Sequence, residues 1–284
     1  MTTMNQQIPG GSTNSNGGVP TSCLTGYVRV VALGDSATYG LGDRVGDHWR
    51  GWAAILTEAI GTAHHISFCN LAQSGATVRD VRGTQLGEAL DHRPQVASLV
   101  VGINDVMRSS WDRSRTRADL LDCVEALTQS GAIVVTVRFH DHSRVLGLPR
   151  WLARPMRERI EELNAIYDEV CERFGCIQID LEDLGIGAQR GYWAIDRLHP
   201  SEAGHRLLAR NVAEHLNSLG LAFDLPPLAP TGSTADRRES ARILLAASVP
   251  WLVRRARDLG PRAATRIVHA ARNYAATPAP LERA

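Results

Sequence analysis

Ser36, Asp196 and His199 have the types and settings for covalent acyl chemistry. Ser36 lies in ALGDSATYGLGD, residues 32–43, between an acid and a set of glycines at the end of a short apolar run. A hydroxyl there would be surrounded by the free backbone N–H groups of a starting helix, and a nearby base would make it a nucleophile. A serine in that place could equally be no more than a helix cap. A base is offered by YWAIDRLHP, residues 192–200, where Asp196 and His199 stand three apart and Pro200 suits the opening of a helix. On one turn of loop, that spacing lets the carboxylate hold one ring nitrogen while the other faces a nucleophile arriving from elsewhere.

Acyl transfer also needs donors for the oxyanion that develops in its tetrahedral intermediate. The segments NLAQSGAT (70–77) and GIND (102–105) each follow an apolar run and end it in small or amide-bearing residues. The Ser36 N–H, the Gly75 N–H and the Asn104 side-chain amide could supply three such donors. VRFHDHSR offers Arg138, His140, Asp141 and His142, which would line an acyl or alcohol pocket or, in the alternative, hold a metal. Arg138, His140, His142 and Trp193 are the substrate-facing candidates.

Five short β-branched runs would position these groups: residues 28–33, 65–71, 95–102, 132–139 and 176–181, read as buried strands. Amphipathic stretches between or after them, at 49–60, 115–130, 155–174 and 201–219, are long enough to cross over a sheet. This alternation predicts an α/β fold with a parallel sheet between helices, whose reactive groups gather beyond the carboxyl ends of the strands.

The composition narrows the chemistry. All 31 basic residues are arginine, which excludes a Schiff-base lysine and a phosphate-loop lysine. A net charge of +1 predicts no strong attraction to nucleic acid. The five scattered cysteines fit reduced thiols better than a disulfide framework or a zinc site. The polar leader, residues 1–25, has neither a basic start nor an apolar core, so a cytoplasmic protein is expected. The main domain is placed at 26–222 and a Pro-rich linker at 223–235. A C-terminal extension follows at 236–284, with ten arginines against four acids. Short helices are expected there at 239–248, 250–259 and 261–274. The extension is expected to dock on the acidic body rather than on an anionic membrane.

In this order the four segments resemble the SGNH hydrolases, the GDSL-type esterases and lipases. Ser36 stands in a GDSxTxG-like block, Gly75 in the second, Asn104 in a GxND block, and Asp196 with His199 in a DxxHP-like block. Ala37 replaces the leucine of the family's name. The resemblance implies a flavodoxin-like three-layer sandwich with strand order 2-1-3-4-5, a metal-free and cofactor-free serine mechanism, and a small or medium ester as substrate. No GxSxG segment carries the nucleophile, which disfavours the other large serine-esterase fold. The motifs do not separate hydrolysis from acyl transfer to an alcohol or amine, and a non-catalytic binding module of the same fold is the third reading.

Overall fold

Glycine-bounded apolar runs separated by amphipathic segments fold, in the computed structural model of the protein, into a parallel sheet between two helical layers. The structure describes residues 26–231, 241–244 and 246. Its strands are β1 (Tyr27–Gly34), β2 (Arg44–Val45), β3 (His48–Trp49), β4 (His65–Asn70), β5 (Val96–Val100), β6 (Ile133–Arg138) and β7 (Ile177–Asp180). The main sheet has the order β4-β1-β5-β6-β7, all parallel, and β2 pairs antiparallel with β3. Counting only the five strands of the main sheet, this is the expected 2-1-3-4-5 order. The central strands are apolar on both faces, and Val31, Leu33, Ala97, Leu99 and Val135 are almost fully enclosed. The edge strand β4 departs from the expectation of five buried strands, because half-buried residues fill its interior positions and its ends are exposed.

The helices are α1 (Ser36–Tyr39), α2 (Gly51–Ile60), α3 (Val78–Asp80), α4 (Leu86–Asp91), α5 (Ile103–Val106), α6 (Arg113–Gln129), α7 (His142–Leu146), α8 (Arg150–Phe174) and α9 (Glu202–Ser218). α2 packs on α9 and α6 packs on α8, one pair to each layer. A π-helical turn, Val81–Gln85, joins α3 to α4. Several boundaries differ from the sequence reading, two of them through a neighbouring element or a proline. Trp49 belongs to β3, so α2 starts at Gly51. Helix α8 starts at Arg150, five residues before the expected proline, and carries Pro155 in its interior. Its apolar stripe, Met156, Ile160, Leu163, Tyr167 and Val170, is buried along the sheet. That burial outweighs the backbone bond lost at proline.

The Pro-rich segment after α9 lies against the body. Arg206 and Arg210 donate to the Pro227 and Pro226 carbonyls, and Thr231 N–H donates to Glu202 at 2.7 Å. Residues 241–244 and 246 are helical, and Leu244 is buried. The rest of the expected extension, including Trp251, Leu252 and Val253, and the whole leader lie outside the described residues.

Candidate active site

Strand β1 delivers Ser36 through a turn that sequence dictates. Gly34 has φ +149°, and its N–H and C=O are both held by the Gln85 side-chain amide, at 2.9 and 3.0 Å. Asp35 caps α1 by accepting the Ala37 N–H at 3.1 Å. Capping therefore falls to Asp35, and the Ser36 hydroxyl is left for other work. Burial raises the Asp35 pKa to about 6, against the lowering effects of the Ala37 N–H, His199 and Asn104.

The loop from Tyr192 to Pro200 brings the histidine back to Ser36. His199 Nε2 lies 2.9 Å from Ser36 Oγ, and His199 Nδ1 lies 2.7 Å from Asp196 Oδ2. The other Asp196 oxygen accepts the Leu198 and His199 N–H groups, which fixes the carboxylate. The Asp196 and His199 side chains are nearly fully buried, where any charge on them is weakly screened. The loop closes on itself through a bridge between Trp193 and Pro200, and Ala194 N–H donates to the His199 carbonyl at 2.9 Å. Arg197 takes φ +56° at its tip. Pro200, expected to open the helix, precedes it: α9 starts at Glu202 and is capped by Ser201, whose hydroxyl accepts the Gly204 N–H.

Gly75 (φ +83°) and Asn104 line the same cavity as Ser36 and His199. The Asn104 amide donates to the Ala76 carbonyl at 3.0 Å and to Asp35 Oδ2 at 3.3 Å. Arg108 donates to the Gly75 carbonyl, and Asp105 accepts the Val78 N–H at 3.1 Å. Burial pushes Asp105 up to about 7.

The cavity measures about 220 Å³ and is walled by Leu41, Ile103, Phe139, Ile186, Trp193 and Leu208 beside the polar groups. His140, His142 and Trp193 form one cluster within it, with ring centroids 4.8 to 5.1 Å apart. Arg138, expected to face substrate, does not join them; its guanidinium pairs with Asp168 and Asp180 at 3.3 Å. Among the described residues no group of three or more metal-ligating side chains converges.

Behind the site stand residues that sequence reasoning missed. His205 accepts the Trp52 N–H on Nδ1, so its Nε2 carries the proton and donates to the Leu41 carbonyl at 3.0 Å. Arg50 bridges Asp43 and Glu202, tying the loop after α1 to α9. The only signal in the sequence was an uneven spread of acids and arginines, which has no spatial meaning before folding.

A doubly wound α/β sheet with a serine, a histidine and a carboxylate gathered beyond its strand ends defines the ester-hydrolase class of such folds. Residues 32–207, more than half of the chain, match the GDSL-like Lipase/Acylhydrolase family, and the chain belongs to it as a carboxylic ester hydrolase. The acetylxylan esterase of Geobacillus stearothermophilus is 24% identical over 200 residues, covering 64% of this chain and 90% of that protein. The crystal structure of an acetylxylan esterase from the same organism superposes with a TM-score of 0.54 at 22% identity, covering 68% of this chain and 94% of the other. The psychrotrophic esterase EstA of Pseudoalteromonas sp., inhibited by monoethylphosphonate, gives 0.53 at 16% identity, covering 67% and 97%.

Proposed function

We propose that this esterase works through a covalent acyl-serine intermediate on esters with a short acyl or alcohol part. The observation that carries the reading is the continuous hydrogen-bonded path from Ser36 Oγ through His199 to Asp196. Ser36 attacks the ester carbonyl while His199 Nε2 takes its proton, and Asp196 supports the imidazolium. The oxyanion is received by the Ser36 and Gly75 N–H groups and the Asn104 amide. His199 then gives its proton to the departing alcohol. Water, activated by the same ring, attacks the acyl-serine and releases the acid and the free serine. Solved variants of the acetylxylan esterase described as catalytic mutants replace a serine, an aspartate and a histidine, the last two three positions apart as Asp196 and His199 are. The cavity of about 220 Å³ supports a short acyl or alcohol group rather than a long lipid chain.

Fluorophosphonate labelling with peptide mapping tests this reading, followed by rates on acyl nitrophenyl esters of rising chain length and on acetylated sugars. The label should land on Ser36, and Ser36→Ala and His199→Ala should each abolish turnover while remaining folded. Full activity in Ser36→Ala would overturn it. We also propose, from the leader's composition, that the protein acts in the cytoplasm; fractionation of expressing cells tests that.

A further inference from the structure

Two histidines wall the cavity that the ester must enter, and the acyl-serine mechanism uses neither. His140 Nε2 and His142 Nδ1 are 3.0 Å apart, so one ring donates to the other. Burial holds both rings well below the ordinary histidine range, His140 near 2 and His142 near 4, which makes the pair neutral at working pH. Two neutral imidazoles carry two N–H protons between them, and the inner bond uses one. The second proton must sit on an outer nitrogen, and the remaining outer nitrogen is a bare acceptor. Neither outer nitrogen, His140 Nδ1 nor His142 Nε2, has a hydrogen-bond partner among the described residues, and the Leu198 backbone, which acts to raise the His142 pKa, favours the proton on the His142 side. His142 Nδ1 is then the inner acceptor, His140 Nε2 the inner donor, and His140 Nδ1 the bare lone pair.

His140 Nδ1 has no hydrogen-bond partner among the described residues, although His140 is only 2% exposed. Trp193 packs at 4.9 Å between ring centroids, and the Cδ2 edge abuts Gly187, where an added Cβ would fall 3.2 Å away. His140 itself lines the cavity. A buried acceptor without a partner is costly, and leaving it so makes sense where a ligand completes it.

We propose that the His140–His142 pair binds a hydroxyl group of the substrate, the hydroxyl donating to His140 Nδ1, so that the enzyme selects hydroxyl-bearing esters over their deoxy counterparts. This rests on the ester-hydrolase reading of the same cavity. The hydroxyl could belong to the acyl chain or to the alcohol part, and the test separates the two. Two matched pairs serve as probes: nitrophenyl β-hydroxybutyrate against nitrophenyl butyrate, and glycerol monobutyrate against propyl butyrate.

The wild-type enzyme should favour the hydroxylated member of one pair by about tenfold in kcat/KM, a net hydrogen bond's worth in a dry site. Which pair responds tells which side of the ester the histidines face. His140→Phe, which keeps a ring against Trp193 but removes the acceptor, should bring that ratio to about one. Equal kcat/KM within both pairs for the wild-type enzyme overturns the proposal without needing any variant to fold. So does a preference that survives in His140→Phe. If none of the four esters is hydrolysed and Ser36 takes no fluorophosphonate, the ester-hydrolase mechanism itself fails; hydrolysis without preference removes only the hydroxyl assignment.

Discussion

Replacing Gly34 by alanine should disable catalysis more than it harms the fold. A Cβ at that position would lie 2.2 Å from the Val100 carbonyl oxygen and 3.0 Å from Thr38 Oγ1, at a φ of +149°. A carbon and a carbonyl oxygen need about 3.3 Å, so roughly 1 Å must open between β1 and β5. Strand β1 does not yield freely at this point, because Gln85 clamps both backbone groups of Gly34. Ser36 follows β1 by two residues, and Asn104 follows β5 by four. The displacement therefore falls between the nucleophile and the amide proposed to stabilise the oxyanion. A misplacement of about 1 Å can cost about 10²-fold in rate, whereas overpacking of this kind costs about 1 to 3 kcal/mol of stability. The assay is kcat on a short nitrophenyl ester, normalised to fluorophosphonate-reactive sites, with a thermal melt alongside. Gly87→Ala in α4 is the control, since its Cβ meets nothing within 4 Å; it should gain about 0.5 to 1 kcal/mol and leave kcat alone. A Gly34→Ala enzyme with kcat within about threefold of wild type would refute the reasoning.

Asn104→Ala should lower kcat by about 10² to 10³ with little change in KM, because its amide bonds the oxyanion only as charge develops; a change carried wholly by KM would make Asn104 a binding residue. Asp35→Asn keeps a good helix cap and removes a buried charge. The folded-state pKa of about 6 exceeds the ordinary value of 3.8, so stability present below pH 3.8 is lost as pH rises through about 6. The variant should therefore be more stable than wild type at about pH 8, by up to about 3 kcal/mol, and equal to it near about pH 3.5. Melts showing the same difference at both pH values would exclude that origin. Arg50→Met should cost about 3 kcal/mol, since it leaves the deeply buried Asp43 carboxylate without its guanidinium; denaturant titration measures the loss.

The strand order was reached only through the resemblance of the four blocks to a known family, whereas the meeting of Ser36 with His199 was legible because a glycine turn and a fixed three-residue spacing act locally. What β1 ends in and what α9 begins after are written in consecutive residues. Arg138 shows where this stops. The interior of β6, VVTV, is buried on both faces, so no alternation marks which way its last residue turns. Its partners, Asp168 and Asp180, come from α8 and β7. Likewise the capping role at α1 went to Asp35 because the turn geometry, invisible in composition, aims that carboxylate at the Ala37 N–H. The Gln85 clamp depends on a π-helical turn that no periodicity announces.

One loop both walls the cavity with Trp193 and carries His199, and its two ends are stitched together by the Trp193–Pro200 bridge. Wall and proposed base thus form a single mechanical piece. A substitution that reshapes the pocket from this side drags His199 with it, which couples substrate range to the proposed proton transfer. Ile103 lines the same cavity from α5, a separate element that follows β5. New specificities in this scaffold should arise from that side first, with the 192–200 loop changing last.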